Sequence, residues 1–277
     1  MASGSIDVTP LISHRFKIDD AASAYEKLDD RSSLGILLDY HGTTAESVIE
    51  TTVKLRENSI IQAQKGNVAF IGGGNYASRV LIPSFKHAGA NLVTLVTSGG
   101  MSAVHHGKKN DFFSAATDID DALDHVIDTV VVATRHNLHA SQTIEALKKG
   151  KHVFVEKPLA LTHEDIDKVE AAQKAANTTV MVGYNRRFSP HIQKIKSLLD
   201  AKRSPKTFIM TMNAGEILED HWTQDINIGG GRIIGEACHY IDLMRVLAGS
   251  RIKSFNCVKM GENDFEDTTE DKALISL

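Results

Sequence analysis

Val68-Ala-Phe-Ile-Gly-Gly-Gly-Asn-Tyr-Ala77 joins four apolar residues to three glycines and then to a run of helical character. Four consecutive apolar residues that end at a glycine turn predict a short strand buried on both faces. The residues that follow predict a helix from about Tyr76 to Ala88. Outward from this point the same rhythm returns. Leu92 to Val96, Thr129 to Ala133, His152 to Val155 and Thr178 to Val182 predict strands. The Thr-Val-Val-Val-Ala run is the strongest, because β-branched side chains are stiff and pack well on a pleated surface. Between them Asp118 to His125, capped by Thr117 or Asp118, His139 to Lys149, stopped at Gly150, and Thr162 to Ala176 predict helices. Strands alternating with helices of this length imply parallel crossovers, hence a doubly wound α/β fold.

Gly72-x-Gly74-x-x-Ala77 lies where such a strand opens into a helix. The first glycine permits a tight turn, the second lets the backbone approach a pyrophosphate, and the third small residue packs helix on strand. Free N–H groups at the helix start, with Asn75 and Tyr76 beside them, favour the anionic phosphates of a dinucleotide. A glycine turn without a ligand is the plainer alternative. A carboxylate at the end of the second strand would bind a ribose 2′-hydroxyl. Yet neither Asp nor Glu occurs between Gly72 and Asn110, and that strand ends at Thr97-Ser98-Gly99. The expected cofactor is NAD or NADP with a lean to NADP, the alternative being Ser98 bonded to the 2′-hydroxyl of NAD.

Composition narrows the field. The 277 residues carry 31 Lys and Arg against 35 Asp and Glu, a formal net charge of −4, which argues against a general nucleic-acid or membrane-surface binder. No apolar run approaches the roughly 20 residues of a membrane-spanning helix. Cys238 and Cys257 are the two cysteines, and neither belongs to a CxxC pair, so no metal site or disulfide framework is expected. The default is a reduced, cytoplasmic protein.

Three segments follow. Residues 1–62 hold an amphipathic stretch from Ala21 to Leu28, an apolar run from Gly35 to Leu38 and a helical pattern from Thr43 to Glu57. Residues 62–66 read as a polar linker. Residues 63–184 hold the α/β rhythm. Residues 185–277 predict a helix from Ile192 to Ala201, a strand from Thr207 to Met212, and a helix from about Ile234 to Ala248. Strand character closes the chain on either side of an acidic loop, ending on an unpaired edge.

The ordered set Ala133-Thr134-x-x-x-Leu138-His139, Glu156-Lys157-Pro158, Gly183-Tyr-Asn-Arg186-Arg187-Phe188 and Cys238-His239-x-x-Asp242 resembles the glucose–fructose oxidoreductase/inositol dehydrogenase (Gfo/Idh/MocA) family over about residues 66 to 277. That resemblance implies a Rossmann domain followed by an α/β open-sheet domain that carries the substrate site and a homo-oligomer interface, here incomplete. It implies hydride transfer between a nicotinamide and a hydroxyl or ketone of a sugar, cyclitol or nucleotide sugar. Lys157 matches the family's active-site lysine and His239 its histidine. Thr134, Arg135, His139, Glu156 and Arg186 fall in the cofactor-facing motifs. Two positions depart from the pattern. Gly235 replaces an acidic residue four before His239, with Glu236 three before it and on the same helix face. Arg135 replaces a proline.

Other readings stay beside these. Arg186 and Arg187 suit an anionic substrate or internal ion pairs. Trp222 is a sugar platform or packing. His105 and His106 read as surface. Pro10-Leu-Ile-Ser-His-Arg-Phe16, Ala21 to Tyr25 and Gly35 to Leu38 resemble the closing segment of medium-chain alcohol dehydrogenases, implying a piece of a two-enzyme fusion without zinc ligands. A non-catalytic dinucleotide sensor on the same fold and an inactive truncated fragment are the competing functional readings.

Overall fold

The computed structural model of the chain describes residues 7–28, 30–40, 51–56, 66–202, 204–259 and 272–277, which divide into two units between residues 50 and 51. In the first unit, β1 (His14–Lys17) is followed by α1 (Ala21–Glu26) and by β2 (Ile36–Asp39), which pairs with β1 in parallel. Ser13 Oγ donates to the Gly35 carbonyl and receives the Leu34 N–H, so one hydroxyl fixes where the two strands begin.

The second unit is built on a seven-stranded sheet. Its strands are β3 (Thr52–Lys54), β4 (Asn67–Ile71), β5 (Asn91–Val96), β6 (Ser114–Ala116), β7 (Thr129–Val132), β8 (His152–Val155) and β9 (Val180–Val182), in the order β3-β6-β5-β4-β7-β8-β9. Every neighbouring pair runs parallel except β3 and β6. This is the expected Rossmann-like α/β sheet. The central strands are mostly apolar because both faces are covered. Ala69, Ile71, Val130, Val132, Val153 and Val155 enter one core. Val68, Phe70, Leu92, Leu95 and Val131 enter the other, where Phe70 meets Phe85 and Phe112 edge-on. Adjacent residues thus serve opposite faces, as a pleated strand requires.

A π-helical turn, Ala77–Leu81, leads into α2 (Ile82–His87). Then come α3 (Gly100–Asn110), α4 (His136–Lys148) and α5 (His163–Ala176), the last capped by Thr162, whose Oγ1 accepts the Asp165 N–H. Beyond the sheet lie α6 (Pro190–Asp200), capped by Ser189, and the π-helical turn Ile233–Ala237 that runs into α7 (Cys238–Ala248). A last antiparallel pair joins β10 (Asn256–Lys259) to β11 (Ala273–Ser276).

Several expectations need correction. Within the helical pattern assigned to Thr43–Glu57, Thr52–Lys54 is a strand, and most of the remainder lies outside the described residues. That strand also moves the edge of the α/β unit back across the 62/63 boundary. Helix α3 was not anticipated, since its buried stripe is Ala103, Gly107 and Asn110, with no large apolar residue to mark it. A Cβ on Gly107 would lie 2.4 Å from Leu55 Cδ1, so the stripe is small because β3's neighbour presses on it. Asp118–His125 forms only a 3₁₀ turn over Ile119–Ala122. Asp118 and Asp124 turn their carboxylates back to the N–H groups of Asp120 and Val126, which competes with helix. Thr207–Met212 alternates like a strand but has no partner among the described residues, and Ile209 is 91% exposed. Without a ladder, alternation alone does not make a strand.

Gly72 sits at φ +106°, and a Cβ there would lie 2.3 Å from the Ala133 carbonyl oxygen. Nothing lies within 4 Å of the corresponding point at Gly74. Gly72→Ala is therefore expected to lower stability by at least about 2 kcal/mol in urea melts, and Gly74→Ala by less than about 1 kcal/mol. Equal losses would mean that the turn is not held against β7.

Candidate active site

In an open parallel sheet the ligand crevice lies outside the carboxyl ends of the strands, where the strand order reverses. Here β4 has β5 on one side and β7 on the other, so the reversal falls beside Gly72 and Ala133. The sequence motifs leave the sheet at these same ends. The glycine turn follows β4, Thr97 and Ser98 follow β5, Thr134 and Arg135 follow β7, Glu156 and Lys157 follow β8, and Tyr184 to Arg186 follow β9.

Around the glycine turn, Gly74, Asn75 and Tyr76 are exposed and Ala77 is buried under the helix start. Asn185 Nδ2 donates to the Tyr76 hydroxyl at 2.6 Å, which ties the turn to the β9 loop. Thr97 is buried, and its Oγ1 donates to the Gly99 carbonyl, so Ser98 is the exposed hydroxyl at the end of β5. His106 is half-buried and not simply at the surface, on the α3 flank of Gly73; burial and the charges of His105 and Lys109 lower its pKa.

The far wall is braced by histidines. His139 is buried, with Nδ1 2.7 Å from the Pro158 carbonyl oxygen and Nε2 3.1 Å from that of Thr134. Both nitrogens thus meet backbone, so His139 joins the β7 and β8 loops and does not face open space as its place among the cofactor residues implied. Thr134 Oγ1 donates to Gln142. His136 Nδ1 donates to the Gly229 carbonyl at 2.7 Å, and burial pushes its pKa down to about 4. Arg135 lies over the Trp222 ring at 5.8 Å, and His136 meets the same ring edge-on, which makes Trp222 part of the wall.

The centre is Lys157. Its side chain is 15% exposed, and Nζ donates to the Gly235 carbonyl at 2.9 Å and to Glu236 Oε1 at 3.3 Å. Glu236 Oε2 lies 3.6 Å from Arg186, whose guanidinium stacks 4.6 Å above the Tyr240 ring. Glu236 therefore pairs with the two cations and has no hydrogen bond to His239. Arg187 is committed elsewhere, to both carboxylate oxygens of buried Asp242. His239 is 6% exposed, its Nδ1 is buried without a partner, and Tyr184 packs against its ring. Burial first, then the Lys157 and Arg186 charges, push its pKa down to about 4, so the ring is neutral at pH 7. Burial also pushes Tyr184 up to about 12 and Cys238 up to about 11, which leaves both protonated. Tyr184, Asn185, Tyr240 and Trp222 complete the site. Tyr184 and Asn185 lie within the arginine motif, Trp222 was open between platform and packing, and Tyr240 carried no signal beyond standing next to His239.

Residues 66–184 match the family model described as the oxidoreductase family with an NAD-binding Rossmann fold, Gfo/Idh/MocA. The chain is 35% identical over 130 residues to 1-carboxy-3-chloro-3,4-dihydroxycyclo hexa-1,5-diene dehydrogenase of Comamonas testosteroni, covering 46% of this chain and 33% of that one. It is 28% identical over 127 residues to myo-inositol 2-dehydrogenase of Thermotoga maritima, covering 46% and 38%. The chain thus matches little more than a third of each of these relatives. A solved levoglucosan dehydrogenase, in complex with NADH and levoglucosan, superposes with a TM-score of 0.59 at 25% identity, covering 74% of this chain and 60% of that one. Among the described residues no helix is long and apolar enough to cross a membrane, and no group of His, Cys, Asp and Glu is placed to hold a metal ion.

Glu156 gives this site an unusual pH signature. Burial raises its carboxyl from the usual 4.5 to about 7, and Oε1 has no partner. A raised acid pKa costs stability once the group ionises, so the cost is absent below about pH 4.5 and complete above about pH 7. His136 and His239 act with the opposite sign, losing stability as the pH falls from 6.5 to about 4. Glu156→Gln should therefore gain stability relative to the unsubstituted chain between pH 4.5 and 8, by up to about 3 kcal/mol. Urea melts across that range measure it, and a constant difference would show Glu156 ionised throughout.

Proposed function

We propose that the chain is an NAD(P)-dependent oxidoreductase that moves hydride between a nicotinamide and a hydroxyl or ketone of a sugar, cyclitol or nucleotide sugar. One observation carries the reading: the Lys157 ammonium, at the carboxyl end of β8, is held by the turn that leads into His239, whose buried Nδ1 has no partner. The dinucleotide fits the residues present. Gly74 leaves its backbone approachable, and the start of the following helix offers N–H groups to the pyrophosphate. A dinucleotide held there would supply the nicotinamide as hydride acceptor or donor. In the oxidative direction His239 takes the hydroxyl proton while the carbon gives up hydride, so a CH–OH becomes a carbonyl. Lys157 donates a hydrogen bond to the oxygen on which charge develops. Glu236 holds that ammonium in place. The sensor reading has no residue that needs both groups. The relatives named for a cyclitol and for a dihydroxylated ring support a ring polyol as substrate.

The finer cofactor choice follows from charge. With no carboxylate between Gly72 and Asn110 and an exposed Ser98 at the end of β5, nothing there repels a 2′-phosphate, which favours NADP. The two cysteines are unpaired, in keeping with a reduced, cytoplasmic setting. For residues 7–40 we retain the reading of an alcohol-dehydrogenase closing segment, supported by the parallel β1–β2 pair, and assign it no chemistry.

Two measurements test this. Fluorescence titration should show NADPH binding at least as tightly as NADH, and Ser98→Asp should shift the ratio toward NADH by about tenfold or more. An unchanged ratio would place the 2′ end elsewhere. Lys157→Met should still bind the dinucleotide but lose roughly 100-fold or more in turnover. Undiminished turnover would remove Lys157 from the chemistry.

A further inference from the structure

The charged groups near His239 are unequally engaged. Lys157 lies beside Glu236 and Glu156, the latter ionising near pH 7, and Arg187 is paired with Asp242. Arg186 is the least committed of them. Its side chain is 42% exposed, and its one ionic contact, to Glu236, is 3.6 Å long. No described residue accepts a hydrogen bond from its guanidinium, which has five N–H donors to offer. The stack on Tyr240 nevertheless holds its plane. Arg187, its neighbour in sequence, shows what a committed arginine looks like, with Nε and Nη2 both on Asp242. Arg186 is thus an oriented and unfilled fork. It stands between Asn185, which is bonded to Tyr76 of the glycine turn, and Glu236, which is bonded to Lys157.

We propose that Arg186 is a specificity-determining residue that grips a carboxylate on the substrate, so that the pocket takes an acid-bearing polyol in preference to a neutral one. The planar fork matches a carboxylate with two parallel hydrogen bonds. The proposal rests on the oxidoreductase reading above and deepens it. A carboxylate seated there offsets the guanidinium's part of the field on His239, whose proton affinity is held down by burial first and then by Lys157 and Arg186. The base then becomes competent when the acid group is in place, which couples recognition to chemistry.

The test uses the 277-residue chain saturated with NADH or NADPH, whichever binds. Calorimetry compares D-glucuronate, D-galacturonate and quinate with their methyl esters at pH 7.5. At least one acid should bind tenfold or more tightly than its ester. Arg186→Gln should bring that ratio to within about twofold, and Arg186→Lys should keep part of it, since the charge remains without the fork. Three acids that bind no better than their esters to a dinucleotide-loaded chain would overturn the proposal and leave the oxidoreductase reading standing. So would a preference that survives in Arg186→Gln. Failure of both dinucleotides to bind would overturn the reading beneath it as well.

Discussion

A largely buried ammonium must have oxygen partners, and Lys157 finds both of its partners on one short turn. The Gly235 carbonyl and the Glu236 carboxylate come from the π-helical turn before α7, while Lys157 itself leaves the end of β8. The wider turn matters because a π-helix leaves carbonyls free of the usual i→i+4 pairing, and at functional sites such bulges recur. As an ion pair in a half-open setting, Lys157 and Glu236 contribute on the order of 1 kcal/mol. Their larger effect is positional. They bring the turn that leads into α7, and His239 with it, to the loops that follow β8 and β9.

The remaining contacts across this seam are of the same kind. His136 bonds to Gly229, the Asn137 N–H bonds to the Ile228 carbonyl, and Tyr184 packs on His239. None is a large apolar interface. The sheet's own cores are filled by aliphatic and phenylalanine side chains, whereas the seam is made of hydrogen bonds, rings and charges. Polar joints hold geometry well when every member is satisfied and cost heavily when one is not. Two of the unsatisfied atoms lie at this seam, while His106 Nδ1, Thr143 Oγ1 and Thr178 Oγ1 lie elsewhere in the α/β unit. His239 Nδ1 and Glu156 Oε1 are both buried without a partner, while the sheet's hydroxyls Thr94 and Ser114 find one another. Orphaned polar atoms at the centre of an otherwise well-paired site are the mark of a surface arranged for something that arrives later.

Much of this was legible beforehand, for a definite reason. Strands such as Val68–Ile71 and Thr129–Val132 announce themselves because burial on both faces leaves only apolar β-branched or aromatic choices. The glycine turn was legible because Gly72 has no alternative at its φ and its distance from Ala133. What escaped was written in small residues or in long-range pairing. Helix α3 shows no hydrophobic stripe, since its contacts require Ala103 and Gly107 to be small. Thr52–Lys54 becomes a strand only because β6 offers an unpaired edge sixty residues later. His139 was placed with the cofactor residues by its motif, yet a histidine between two carbonyls is a brace, and no spacing rule distinguishes the two.

Glu236 shows how far a motif departure can be taken. Sequence alone placed it on the face of His239, as a stand-in for a missing acid four residues before the histidine. The structure turns it away from the imidazole toward Lys157 and Arg186, where it neutralises one cation and leaves the other. An acid beside the histidine would raise its proton affinity from within the protein. Burial first, and then the two cations, do the reverse and leave a ring that is neutral at pH 7. A carboxylate bound nearby would weaken that field, and the guanidinium above Tyr240 is where it would find donors.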